Sequence, residues 1–251
     1  MKVNVTAIYG CGRCVAPEDW HTKGIPRPYR LYYVIGGSAY YSLGGERTRL
    51  LPGCFYLFPS SMPFNVVQDC NDRLNHLYYD FMMNPSVTSA EPLCCSVGDH
   101  SLLPSLLNLM EKSVVTYRQT RQAELLNTVC SSLEAFLNLF LNIVEPKKLF
   151  SKDVSLAVEY IEQNYAEDIS VKQIAGMLYL DEGYFIKKFK SEMGVTPYAF
   201  IKNLRLSVAR ELRSGGESLK DASLKAGFKY SSSYCRAVSR EKRKKAPRKN
   251  I

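Results

Sequence analysis

A chain of 251 residues is long enough for two domains of ordinary size, and 46% hydrophobic with 23% charged residues can build packed cores, which excludes bulk disorder. The formal charge of +9 is unevenly spread: Met1–Pro146 carries 11 Lys and Arg against 12 Asp and Glu, a net of −1, whereas Lys147–Ile251 carries 22 against 12, a net of +10. That excess points to a polyanionic partner for the last part alone, and the lack of any apolar run of ~20 residues excludes a membrane helix.

No apolar run precedes Gly10, so a secretory signal is not expected, and the chain is read as cytoplasmic with reduced thiols. Among eight cysteines, Cys11-Gly-Arg-Cys14 forms a CxxC. A zinc site needs two further soft ligands at matching spacing. His21 is near, but there is no second CxxC and no HxxxH. The pair is therefore expected to be incidental, with no metal and no cofactor.

Residues 1–98 read as β-structure. YRLYYVIGG (29–37), SAYYSLGG (38–45), ERTRLLPG (46–53), CFYLFP (54–59) and NHLYYDFMM (75–83) are aromatic-rich runs separated by Gly-Gly, Pro-Gly and Pro-Ser turns. Such spacing predicts a small barrel or sandwich. Residues 99–146 read as two helices and a linker. In the second helix Leu125, Leu126, Val129, Leu133, Phe136, Leu137, Phe140, Leu141 and Val144 form one wide stripe. It is wide enough to pack on the barrel or to pair with a second copy.

Residues 147–251 read as all-helical. Ser151–Asn164 is amphipathic. Ser170 is placed to cap a helix beginning at Val171, and Asp181 to cap the next, with Glu182 in its first turn. On a 3.6-residue wheel Phe185, Phe189 and Met193 face inward, while Gly183, Ile186, Lys187 and Lys190 fall on the opposite side. Aromatics that anchor one face while the other is offered to a groove are the division expected of a recognition helix.

The pattern repeats. Ser218-Leu-Lys-Asp-Ala-Ser223 matches Ser170-Val-Lys-Gln-Ile-Ala175 at an offset of 48, and Ala226-Gly-Phe228 matches Leu178-Tyr-Leu180. Tyr234 and Val238 then take the anchoring places of Phe185 and Phe189, and Ser232, Cys235, Arg236 and Ser239 face outward. Two such helices on one domain suit two successive major grooves, ~34 Å apart on B-DNA.

Residues 168–213 and 218–238 resemble the AraC/XylS family of bacterial transcription regulators. The strand pattern of 29–66 is similar to that family's cupin-type sensor. The resemblance implies three parts: an all-β cupin-like sensor barrel over 1–98, a helical dimerisation segment and linker over 99–146, and an all-α double helix-turn-helix DNA-binding domain over 147–251. It places Gly183, Ile186, Lys187 and Lys190 of the first unit, and Ser232, Cys235 and Arg236 of the second, against DNA. It further implies an operator or promoter as partner, a homodimer, RNA polymerase where the protein activates, and a small-molecule effector such as a sugar. The second unit departs from the pattern: Val238 stands for the usual Phe. Arg243, Lys244 and Ala246 stand where the family has Gly, Met and Pro, within a basic run, 241–250.

Trp20, Arg30, Tyr32, Tyr40, His76 and Tyr78 are the candidate effector contacts, chosen as polar-aromatic positions whose amphipathic tips suit a hydroxylated ligand. A cupin enzyme would hold a metal with two or three His and a carboxylate. Only His21, His76 and His100 exist, in no HxH pattern, so an enzyme is not expected.

Overall fold

The computed structural model describes residues 2–24, 28–43, 46–60, 64–89, 91–144 and 150–245. They divide into two compact units, Met1–Glu159 and Tyr160–Ile251.

Among the described residues of the first unit, nine strands form two antiparallel sheets. The strands are β1 (Asn4–Val15), β2 (His21–Gly24), β3 (Tyr29–Gly36), β4 (Ala39–Leu43), β5 (Glu46–Leu50), β6 (Cys54–Phe58), β7 (Phe64–Gln68), β8 (Asn75–Asn84) and β9 (Leu93–Ser96). One sheet runs β1-β8-β3-β6-β9 and the other β2-β7-β4-β5. The strand–turn runs recognised in the sequence correspond to β3, β4, β5, β6 and β8. The other four strands were not anticipated. β1 includes Gly10 and Gly12, residues that are depleted in strands. Here Gly12 serves close approach: a Cβ there would lie 2.9 Å from the Tyr78 ring.

Strand alternation sorts the aromatics. Tyr32, Val34, Tyr56 and Phe58 of the first sheet meet Ala39, Leu50 and Val66 of the second, and all are buried. The opposite face of the first sheet meets two helices, α1 (Leu103–Thr120) and α2 (Ala123–Ile143). Phe55 packs on Phe136 at 4.4 Å between ring centroids, and the Tyr79 hydroxyl donates to Met110 O at 3.1 Å.

The centre of the α2 stripe is consumed inside this unit, while Leu125, Leu126, Leu141 and Val144 at its ends are half-buried. Val129, Leu133, Phe136, Leu137 and Phe140 are fully buried; each side chain contributes ~1.5–3 kcal/mol of burial. The same helix blunts the outer edge of β1. Asn138 Oδ1 accepts from Val3 N at 2.8 Å, and Glu134 Oε1 from Val5 N at 2.7 Å.

The C-terminal helices are α3 (Lys152–Asn164), which spans the division between units, then α4 (Val171–Met177), α5 (Glu182–Met193), α6 (Pro197–Ser214), α7 (Leu219–Lys225) and α8 (Ser231–Lys245). α8 continues to Lys245, through positions where the family pattern would turn; the remainder of the basic run lies outside the described residues. No described helix is long and apolar enough to cross a membrane.

Candidate nucleic-acid interface and sensor interior

The first helix pair is fixed by its caps. Ser170 Oγ accepts from Gln173 N at 3.2 Å, and Gln173 Oε1 accepts from Ser170 N at 2.8 Å, a reciprocal capping box. Asp181 caps α5 by accepting from Tyr184 N at 2.9 Å. Between them Tyr179 takes φ +56°, in the left-handed region, with its side chain 97% exposed. Phe185, Phe189 and Met193 are buried, and Phe189 meets Phe200 of α6 edge-on at 5.5 Å. Gly183, Lys187 and Lys190 are exposed on the other side, and Ile186 is half-buried.

The second pair copies the first. Ser218 Oγ caps α7 by accepting from Asp221 N at 3.1 Å. The turn residue matching Tyr179 is Gly227, at φ +84°. Both turns therefore need the same backbone state. At Gly227 the requirement is sharper, because a Cβ would lie 2.6 Å from Tyr165 O. Ser232, Cys235 and Arg236 are exposed on α8. Tyr234 and Ala237 are buried, whereas Val238, expected as an anchor, is only half-buried. Its short side chain does not reach as Phe189 does.

A contact absent from the sequence reading braces the unit. The Arg205 guanidinium donates to Tyr165 O and to Glu167 O, both at 2.6 Å, tying the α3–α4 connection to α6. In the sequence Arg205 is one of three arginines in α6, none of which can be told from a solvated charge by pattern alone.

These paired caps, matched left-handed turns and outward basic faces agree with the comparisons. A family model described as a helix-turn-helix domain matches residues 168–245. Those residues are an AraC-type helix-turn-helix domain. The probable transcriptional regulator LumQ of Photobacterium leiognathi is 28% identical over 114 residues, 45% of this chain and 46% of that protein, so this match spans less than half the relative's length. The lactose operon transcription activator of Staphylococcus xylosus is 22% identical over 213 residues, covering 79% of this chain and 75% of its own. Among solved structures, ToxT of Vibrio cholerae bound to an unsaturated fatty acid superposes with a TM-score of 0.57 at 16% identity, over 95% of this chain and 90% of that one. The last likeness is one of fold: a strand-rich N-terminal domain followed by a helical region that holds the helix-turn-helix match.

In the N-terminal unit five of the six candidate ligand residues come together. Arg30, Tyr32, His76 and Tyr78 lie on the face of β3 and β8 that meets the second sheet, and Trp20 packs against the same core. His76 is 4.5 Å from the Tyr32 ring, 5.8 Å from Tyr78 and 6.1 Å from Trp20, between centroids. Tyr40 is the exception. Ala39 and Tyr41 point inward, so Tyr40 faces away, where the Arg47 guanidinium sits 4.1 Å above its ring.

Two features of this interior were not foreseen. The Arg30 guanidinium binds both carboxylate oxygens of Asp80 as a fork, with side chains only 13% and 5% exposed. Asp80 sits two residues beyond Tyr78 on the same strand face, a period that would have flagged it. His76 is buried, and burial pushes its pKa down to about 4. Among the described residues its Nδ1 has no hydrogen-bond partner.

The CxxC lies along β1. Cys11 stands opposite Tyr79 and Cys14 opposite His76, so the two thiols leave the strand on opposite faces and do not converge. Burial raises the Cys11 thiol to about 11.

Proposed function

We propose that the protein is a ligand-responsive transcription regulator that reads double-stranded DNA with α5 and α8 and senses a small neutral molecule in its N-terminal unit. The observation that carries the reading is the duplication itself. Two capped helix pairs share one turn conformation and present Lys187 and Lys190, and then Arg236, outward. Lys and Arg contacts to phosphates supply affinity, and side chains at base edges supply choice. Ile186 offers only apolar contact, as to a thymine methyl.

The effector reading rests on charge. One relative is named for a lactose operon, and ToxT was solved with a fatty acid. In this chain Arg30 is neutralised by Asp80, and His76 stays uncharged above pH ~5 because its pKa is about 4. An incoming carboxylate would have to break the ion pair. A neutral hydroxylated ligand, such as a sugar, can instead lie against the Trp20 and Tyr78 rings and donate to His76 Nδ1. Binding then shifts the balance between DNA-competent and DNA-incompetent states. Because the centre of the α2 stripe is buried, a homodimer would use the outer faces of the helical hairpin. RNA polymerase is a further partner if the protein activates.

Footprinting on DNA flanking the gene tests the first part. Protection of two adjacent major grooves is expected. Protection of one groove with steep salt dependence would leave only the first unit reading bases. Thermal shift against a panel of neutral sugars and carboxylates tests the second part, since a ligand at 100 times its Kd stabilises by ~2.7 kcal/mol. Stabilisation by carboxylates alone would overturn the neutral-ligand reading. Stabilisation by nothing in the panel would favour a barrel that serves only assembly.

A further inference from the structure

α6 and α8 frame a hollow of about 280 Å³, lined by Lys202, Phe228, Ser233, Arg236 and Ala237. The second unit also packs less fully than the first. Phe189 fills the joint against Phe200 in the first unit, whereas its counterpart Val238 is short and half-buried. Two cations and a hydroxyl line this hollow, and among the described residues that line it none is a carboxylate. Arg236 donates long hydrogen bonds within its own helix, 3.4 Å to Ser232 O and 3.5 Å to Ser233 Oγ. Lys202 is exposed on the side of α6 away from buried Phe200 and Leu204.

Such a set is built to seat an anion. When α8 lies in a major groove, the anions that flank it are backbone phosphates. We infer that Lys202, together with Arg236 and Ser233, seats a DNA phosphate beside α8. This deepens the proposed DNA-binding function and rests on it. Lys202 is then a positioning residue: it holds the loosely packed second unit on the backbone and carries no base preference of its own.

The test compares the full-length wild type with K202Q and K202R on a protected upstream fragment and on a mixed-sequence duplex, between 50 and 200 mM salt. Each phosphate contact contributes about −0.9 to the slope of log K against log salt. For K202Q the slope should flatten by about one unit on both duplexes, so that the wild-type advantage shrinks roughly 3-fold across that range. K202R should keep the wild-type slope. Thermal melting of the free variants checks that each folds. An unchanged slope in folded K202Q overturns the inference, as does a loss confined to the specific fragment. Inorganic phosphate at matched ionic strength should not stabilise the free wild type; stabilisation that K202Q abolishes would reassign the seat to a free anion. A wild type that binds neither duplex overturns the DNA-binding reading and this inference with it.

Discussion

Gly227→Ala is the change whose cost can be worked most directly from the structure. The residue sits at φ +84°, and a Cβ there would approach Tyr165 O to 2.6 Å, Ala166 Cα to 2.7 Å and Ala166 O to 2.8 Å. All three are backbone atoms, so no flexible side chain can swing aside. The left-handed conformation alone costs an L-residue ~1–2 kcal/mol. Forcing the α3–α4 connection outward adds a clash comparable to overpacking a core, ~1–3 kcal/mol. That connection is also held by Arg205, so the displacement strains both of its hydrogen bonds. Together these predict ~2–5 kcal/mol, and at ~4–8 °C per kcal/mol for a domain of this size, melting should fall by at least ~8 °C. The matched site gives the opposite sign. Tyr179 has φ +56° and is 97% exposed, so Tyr179→Gly loses almost no burial and relieves the backbone, for a gain of up to ~1 kcal/mol. Calorimetry of the full chain reads both, with amide exchange in α7 and α8 locating the effect. A G227A variant that melts with the wild type, or a Y179G variant that melts lower, would refute the argument that both turns require a left-handed residue.

Three further outcomes follow from the same geometry. His76 is held neutral, with a pKa of about 4 against an ordinary 6.5. Below pH 6.5 the unfolded chain takes up a proton that the folded one refuses, so stability is full above 6.5 and falls as pH drops toward 4, by about 3 kcal/mol at pH 4. H76Q should flatten this part of the pH profile of melting; an equally steep profile would refute it. D80A removes the carboxylate paired with a largely buried guanidinium and should cost up to ~3–5 kcal/mol, whereas replacing both Arg30 and Asp80 with apolar residues of similar volume should cost far less; denaturant titration compares them. Lys187→Ala should weaken specific binding by ~1–3 kcal/mol and relax preference at one base position, measured by competition among single-base operator variants.

The division of labour along the chain was legible in the sequence because it depends on local chemistry. The concentration of charge after residue 147, the caps at Ser170, Asp181 and Ser218, and the wheel that sorts Phe185 and Phe189 from Lys187 and Lys190 are short-range features. They hold whatever the rest of the chain does. The choice of Tyr32, His76 and Tyr78 as polar-aromatic strand positions was likewise local; alternation keeps His76 and Tyr78 on one face of their strand, since residues i and i+2 cannot separate there. Register was the missing quantity. Only pairing across strands set Asp80 against Arg30 and turned Tyr40 outward beneath Arg47. The fate of the α2 stripe was equally open, because an apolar face specifies that it must be covered but not by what. The tertiary structure covered its centre with the first sheet and α1, left Val238 too short to close the second joint, and brought Lys202 beside Arg236 from another helix. Those outcomes depend on contacts between residues far apart in sequence, whose partners no local pattern names.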